Sequence, residues 1–389
     1  MRAMTFETNA PTATQYVVGP GALGDDRLRV VLSGVPACVV VDDRVGEQHP
    51  GPVAEVVRRV DCLGVLPVTA GESFKSFGQL ERVLTFLDDC GLPKHGIVAA
   101  VGGGTVGDVV GLAATLMRRG TRLVLLPTTL LAQVDAAVGG KNGVNFGRTK
   151  NLVGQFHHAE LVVCDQRFLP TLPAREVVSG IAESIKVFAV ADAGALARHA
   201  ETWRDDPRIE DLGSWRDAVW TAVRWKLRLL AEDPYETSSR RLLNYGHAFA
   251  HFLEEHSGFR LLHGEAVLLG MMVENEISLE LGIGRTDAIE TLQAMIAGFL
   301  AAPCRQYWPA FSDVRRELHR LRQMRRGMLN LVCLVEPGDG RIVDDAPEEL
   351  LATAWHTVDA RLRRVSMPAS TGAGPMAEAT ETTAVVPAS

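Results

Sequence analysis

Short apolar runs and helical patterns alternate over the first ~170 residues. The runs Ala37–Val41, Gly64–Val68, Gly96–Val101, Leu123–Leu126 and Leu161–Cys164 have strand length and are bounded by turn residues. Alternation of that kind predicts βαβ units around a mostly parallel sheet. From about Leu172 the period lengthens to that of helices, over Ala174–Val190, Asp211–Ala231, Ala248–His256, Gly264–Leu281 and Asp287–Ala301, with one further strand-like run at Leu329–Val335. The expected fold is an N-terminal α/β dinucleotide-binding domain (1–170) joined to a mainly α-helical metal- and substrate-binding domain (171–365). Pro170 and Pro173 punctuate the link. Pro368–Ser389 is nearly all Ala, Thr, Ser, Gly, Pro and Glu, so 366–389 reads as a disordered tail.

Composition narrows the class. A chain of 389 residues, 47% hydrophobic, suits two domains. A net charge of −7 with no basic run argues against a nucleic-acid partner. The polar N-terminus carries no secretory pattern, and no apolar run reaches membrane-spanning length. Six scattered cysteines without a CxxC pair read as reduced thiols of a cytoplasmic enzyme.

Two constellations carry chemistry. Gly102-Gly103-Gly104-Thr105-Val106-Gly107-Asp108 lies between a predicted strand and a predicted helix, where backbone N–H groups and the helix dipole can receive a pyrophosphate. It is not the GxGxxG fingerprint, and spacing leaves a plain connecting turn equally open. Asp43, at the end of an earlier strand, and the segment Gly71–Lys75 with Glu72 and Lys75 add ribose- and phosphate-binding candidates. The second constellation is His247, His251 and His263, with Glu183 on an earlier helix and Lys186 one turn on. Imidazoles and a carboxylate suit Zn²⁺ or a similar ion. Spacing alone favours His247 with His251 as a pair on one helical face, although the HExxH pattern is absent. Hydrogen-bonded packing histidines are the alternative.

At these residues the chain resembles the 3-dehydroquinate synthases, within the sugar phosphate cyclases. The matching segments are Gly102–Asp108, Arg118-Arg119-Gly120, Pro127-Thr128-Thr129-Leu130-Leu131-Ala132-Gln133-Val134-Asp135, Gly139-Gly140-Lys141, Gly143-Val144-Asn145, Lys150-Asn151, Gly180–Lys186, Leu243–His251 and His263–Val267. The resemblance implies NAD, a catalytic Zn²⁺ or Co²⁺ and a homodimer. It makes Glu183, His247 and His263 the metal ligands and moves His251 to a phosphate contact. Lys141, Asn151, Asn244 and His251 fall on phosphate-holding positions, and Arg119 on one that reaches a neighbouring subunit's site. Asp135, Lys186 and Glu236 fall around the reacting hydroxyls, and Lys226 with Arg240 at the substrate carboxylate. Gly103, Gly104, Asp108, Thr128, Thr129, Asp135, Lys141 and Lys150 join Asp43, Glu72 and Lys75 on the cofactor side. The implied reaction oxidises a secondary alcohol, eliminates phosphate from the acidified neighbour, returns the hydride and closes a carbocycle by an aldol step. The net change is a lyase reaction.

Departures are visible too. The family's C-terminal Asp-Lys-Lys segment is replaced by Leu321–Arg326, where Arg322, Arg325 or Arg326 can stand in for the lost charge. Asn142 and Ala248 stand where threonine is usual. A carboxylated seven-carbon substrate is expected, because a substrate without a carboxylate would leave Lys226 and Arg240 unpaired. The alternatives are the amino analogue of that reaction, valiolone- or inosose-type cyclases, an NAD- and metal-dependent polyol dehydrogenase, and a catalytically dead binding protein.

Overall fold

The computed structural model describes residues 1–6, 13–147, 149–206, 208–232, 241–300 and 302–365. The expectations for Glu236, Arg240 and the tail lie outside these residues. The strands are β1 (Arg2–Phe6), β2 (Thr14–Val18), β3 (Pro36–Asp42), β4 (Asp61–Val68), β5 (Ile97–Gly102), β6 (Arg122–Pro127), β7 (Lys141–Phe146), β8 (Thr149–Phe156), β9 (Leu161–Cys164), β10 (Leu331–Glu336) and β11 (Asp339–Val343). Among the described residues, seven form one sheet in the order β1-β2-β9-β6-β5-β3-β4. Every pairing in it is parallel except β1 with β2. A parallel sheet covered on both faces needs strands that are apolar throughout. β5 meets that demand with Ile97–Gly102 wholly buried, and β9 does so with Leu161–Cys164.

Alternate side chains feed two cores. Val39, Ala99, Val124 and Val163 pack with Leu28, Leu32 and Val56 on one face. Val40, Val98, Leu125 and Val162 face the other way, into a core that runs unbroken through Val109 and Phe188 to Phe249 and Met271. The helical part is therefore seated directly on the sheet.

The five predicted strands of the first half all form. The predicted helices form as Ala174–Ala191, Leu212–Glu232, His247–His256, His263–Glu280 and Thr286–Phe299. The structure adds β1 and β2 on one sheet flank and the antiparallel hairpin β7–β8, in register Lys141↔Phe156 and Val144↔Val153. The run expected at Leu329–Val335 becomes β10, which pairs with β11. The helices Ala193–Asp205, Phe311–Met324 and Glu348–Val365 were also not expected.

Chain order reverses at β3, which has β4 on one side and β5 on the other. In open α/β sheets, ligands bind in the crevice outside the carboxyl ends of strands at such a point. Asp43, Gly71–Lys75, Gly103–Gly104 and Thr128–Thr129 all follow carboxyl ends of strands in this region.

Candidate active site

A cavity of about 640 Å³ lies between the sheet's carboxyl edge, the β7–β8 hairpin and the helical part. Its sheet wall begins at the glycine turn. A Cβ on Gly103 would come within 3.0 Å of Thr129 Cγ2, and one on Gly104 within 3.0 Å of Ala136 Cβ, so a side chain at either position would crowd the turn. No side chain caps the helix Gly104–Leu116 that follows, and Gly104, Thr105 and Asp108 line the cavity. Its unpaired N–H groups carry the positive end of the helix dipole. Thr128 N–H donates to Gly102 O at 3.0 Å, and Thr129 Oγ1 accepts from Ala132 N–H at 3.2 Å, so both threonines brace the turn from behind. Asp43 is half-buried, is not among the residues lining the cavity, and accepts from Thr69 Oγ1 at 2.7 Å.

The hairpin supplies the second wall. Lys75 is buried and bonded to Asp108 and to Asn151 Oδ1. Asn145 Nδ2 donates to Glu72 Oε1 at 2.6 Å, and its Oδ1 accepts the Asn151 N–H at 3.0 Å. Asn151 is held at φ 53°, a left-handed conformation that asparagine tolerates. Lys141, Lys150 and Asn151 reach the cavity from this hairpin. Asn142, one of the departures, is 7% exposed and bonds Gly140 O and His157 O at 2.8 and 3.0 Å. It occupies the space that a side chain at Gly111 would need, and so seats the hairpin on the glycine-turn helix.

Asp135 sits on a widened turn, Ala132–Ala136, where Ala137 N–H reaches back to Ala132 O at 3.0 Å. Such π turns re-aim side chains and are frequent at functional sites. Here Asp135 Oδ1 meets Lys186 Nζ at 3.1 Å and Lys226 Nζ at 2.8 Å. Burial works against the Asp135 charge, but the two ammonium groups outweigh it and hold the carboxyl well below its ordinary range. Burial pulls Lys226 down from the usual lysine value. Lys226 also donates to Asp135 O at 2.7 Å. This corrects the premise that a substrate without a carboxylate leaves Lys226 unpaired: Asp135 is already its partner.

The helical wall brings Glu183, His247 and His263 together, one ligand atom from each lying within 4.8 Å of the others. Two glycines permit the approach. A Cβ on Gly264 would overlap Ser179 Cα, and one on Gly270 would overlap Gly246 O, so no other residue lets these segments meet. Glu183 is fully buried, with Oε1 3.1 Å from His263 Nε2 and 3.8 Å from His247 Nε2, while Oε2 pairs with Lys186. His247 Nδ1 lies 3.2 Å from Tyr245 O and His263 Nδ1 lies 3.4 Å from Glu254 Oε2. An acceptor at Nδ1 fixes the tautomer that leaves Nε2 as the donor atom. Burial opposes a charge on His263, yet bonds to Glu183 and Glu254 raise its pKa to about 10. The centre is thus built to hold positive charge. His251 is different. Burial, reinforced by the charges of His263, Lys150 and Arg325, lowers it to about 4.

His251 and Asn244 line the cavity beside His247 and His263. Arg119 is exposed, is held at φ 61° and is not among the lining residues. Of the three C-terminal arginines, Arg322 is committed to Asp345 through two 2.8 Å bonds, and Arg326 is exposed. Arg325 is half-buried and donates to Leu329 O at 2.9 Å, and its charge acts on His251. Glu254, Asn145 and the Tyr245 carbonyl were missed in the sequence. Only Glu254 left a signal there, since it falls seven residues after His247 and three after His251 on the same helical face.

A glycine turn at the switch point of a parallel sheet, facing a carboxylate–histidine centre across one cavity, defines a protein equipped for a dinucleotide and a divalent metal. Known proteins narrow this class. A family model for the N-terminal part of 3-dehydroquinate synthase matches residues 65–179, and its C-terminal counterpart matches 180–310. The 3-dehydroquinate synthase of Rhodospirillum rubrum is 42% identical over 273 residues, covering 68% of this chain and 70% of that protein. The 2-epi-valiolone synthase of Actinosynnema mirum is 36% identical over 340 residues, covering 85% of this chain and 87% of that protein. Among solved structures, the 2-epi-5-epi-valiolone synthase ValA of Streptomyces hygroscopicus subsp. jinggangensis, with NAD⁺ and Zn²⁺ bound, superposes with a TM-score of 0.83 at 28% identity, covering 91% of this chain and 99% of that one. The chain belongs to the 3-dehydroquinate synthase family.

Proposed function

We propose that this chain is an NAD- and metal-dependent sugar phosphate cyclase of the 3-dehydroquinate synthase type, a carbon–oxygen lyase that turns a seven-carbon keto-acid sugar phosphate into a carbocycle with release of phosphate. The observation that carries the reading is the single cavity onto which the glycine turn, the His247–His263–Glu183 centre and a cluster of lysines all open. The residues fit both bound groups. The glycine turn leaves room that a Cβ would fill, and the donor set stabilises positive charge between the Tyr245 carbonyl and the Glu254 carboxylate.

In this reading residues 1–170 hold the dinucleotide and 171–365 hold the metal and substrate. Glu183, His247 and His263 hold a Zn²⁺ or Co²⁺ ion, and Asp43, Glu72, Lys75 and the Gly103–Asp108 turn receive NAD. When bound, the two groups would supply Lewis-acid polarisation of a substrate oxygen and a hydride acceptor restored within the turnover, so no external redox partner would be needed. Asp135, kept ionised by Lys186 and Lys226, accepts hydrogen bonds from the reacting hydroxyls. His251, neutral at physiological pH, offers its ring to the phosphate along with Lys141, Asn151 and Asn244. Arg119, exposed and away from this chain's own cavity, is offered to a second copy in a homodimer.

Lys186 and Lys226 share the Asp135 carboxylate and Lys226 lines the cavity, which supports a carboxylated substrate. The Asp135–Lys226 pair supports a second reading, a valiolone-type cyclase acting on a carboxylate-free heptulose phosphate, because Lys226 does not depend on substrate for a partner.

Phosphate release from three candidates separates the two readings: a seven-carbon keto-acid sugar phosphate, sedoheptulose 7-phosphate and glucose 6-phosphate. Turnover of the keto acid, with KM raised roughly 10–100-fold in Lys226→Met, is expected if the lysine holds the carboxylate by a charge-assisted bond. Turnover of sedoheptulose 7-phosphate alone would establish the second reading.

A further inference from the structure

Glu254 joins the β7–β8 hairpin to the metal centre, a second link between the walls of the cavity beside the Asp135–Lys186 pair. It is 2% exposed on the helix His247–His256, on the face that carries His247 and His251. Its oxygens are divided between partners: Oε1 accepts from Lys150 Nζ at 2.7 Å, and Oε2 lies 3.4 Å from His263 Nδ1. Lys150 comes from the β7–β8 hairpin, stands 5.1 Å from the centre of the Phe259 ring, and reaches Glu72 Oε2 at 3.1 Å on the sheet wall. On the far side of His263, Nε2 meets Glu183 Oε1 at 3.1 Å. A buried carboxylate survives only when such donors satisfy it. The result is a continuous run of polar contacts from the loop after β4, through the hairpin, to the metal centre.

We propose that Glu254 is a positioning residue with two tasks: it holds the His263 ring so that Nε2 faces Glu183, and through Lys150 it makes metal binding and dinucleotide binding reinforce each other. The inference rests on the assignment of this cavity to a metal and a dinucleotide. When His263 Nδ1–H donates to Glu254, the lone pair is left on Nε2, the nitrogen that faces Glu183. A ring fixed in that tautomer also fixes the Glu254 carboxylate. That carboxylate then holds the Lys150 ammonium at the sheet wall, where the cofactor-side residues Glu72 and Asn145 are anchored to the same hairpin. Ordering Lys150 from the nucleotide side acts back along the same contacts, because coupling between two sites is reciprocal.

The test measures two affinities on the full chain. Zn²⁺ affinity is read by competition with a chromophoric chelator and NAD⁺ affinity by calorimetry, each with and without the other ligand. The wild-type chain is expected to bind each ligand at least about fivefold more tightly in the presence of the other. Glu254→Gln keeps the size of the side chain and an acceptor oxygen but loses the charge. Its metal affinity is expected to fall roughly 10–100-fold, with coupling abolished. Lys150→Met leaves the His263 contact untouched, so it is expected to retain metal affinity within a few fold and still lose the coupling. Unchanged metal affinity in Glu254→Gln overturns the first task. Coupling that persists in Lys150→Met, or that is absent from the wild-type chain, overturns the second. If Glu254→Gln does not fold, as judged by thermal unfolding of the metal-free chain, Lys150→Met and Lys150→Gln decide the coupling, and Glu254→Asp, which keeps the charge but shortens the reach, decides the first task by whether metal affinity falls. A wild-type chain that binds neither Zn²⁺ nor NAD⁺ would overturn the proposed function instead, a result distinct from all of these.

Discussion

The sheet wall and the helical wall of the cavity are built by different means. The sheet wall is made largely of strand ends: Asp43, Gly103 and Thr128 each follow directly on the strand that places them. The helical wall is made by long-range convergence. Glu183 meets His263 across 80 residues, and the approach depends on Gly264 and Gly270 packing against backbone. Local geometry therefore tolerates small changes on the sheet side, whereas the helical side fails as a unit when one contact is lost.

The largest effect is expected at the shared carboxylate. Glu183→Gln removes an anionic ligand and the partner of Lys186 together. Turnover is expected to fall at least about a thousandfold, the loss of several kcal/mol of charge stabilisation, and metal content measured by elemental analysis should fall with it. A variant that retains one metal per chain would sever the helical wall from the chemistry.

Two glycines sharpen the contrast. Gly270→Ala must displace the Gly246 backbone that precedes His247. Stability is expected to drop by about 1–3 kcal/mol, with metal affinity falling as well. Gly103→Ala presses only on the Thr129 methyl group at 3.0 Å. NAD⁺ affinity should weaken roughly tenfold, the result of about 1.4 kcal/mol, while metal affinity stays unchanged. Equal effects of the two variants on both ligands would erase the distinction between the walls.

A smaller effect lies behind the metal loop. Glu274 is fully buried and accepts the Gly246 N–H at 2.8 Å. Burial outweighs its backbone donors and raises its pKa to about 8 from an ordinary 4.5. The folded chain therefore binds a proton that the unfolded chain has lost, and the resulting stability is complete below about pH 4.5 and fades as pH rises through about 8. Glu274→Gln should flatten that slope in denaturant titrations between these limits. A slope unchanged by the substitution would assign it to other groups.

The smallest effect is expected at Arg322, whose pair with Asp345 is half-buried at the surface. Arg322→Ala should cost about 0–1 kcal/mol and leave KM unchanged. A large rise in KM would return this arginine to the phosphate site.

The same contrast explains what the sequence could tell. The five parallel strands and five helices announced themselves through apolar period, and the grouping of Glu183, His247 and His263 followed from motifs held in register with a family. The β7–β8 hairpin did not, because Lys141, Lys150 and Asn151 point into a cavity and break the alternation that marks a half-buried strand. The Asp135–Lys226 bond was equally hidden, since nothing local to either residue predicts contact across 91 positions. His251 kept an ambiguous spacing, and Glu183, His247 and His263 are the three side chains that close on one another.

In the proposed reaction the dinucleotide is consumed and regenerated within one turnover while phosphate leaves. Following phosphate release and NADH absorbance together on the metal-loaded chain, supplied with the keto-acid sugar phosphate and one equivalent of NAD⁺, tests it directly. Many phosphates released per NAD⁺ with no rise in absorbance is the predicted result. Steady NADH accumulation without phosphate release would instead establish a polyol dehydrogenase and contradict the account.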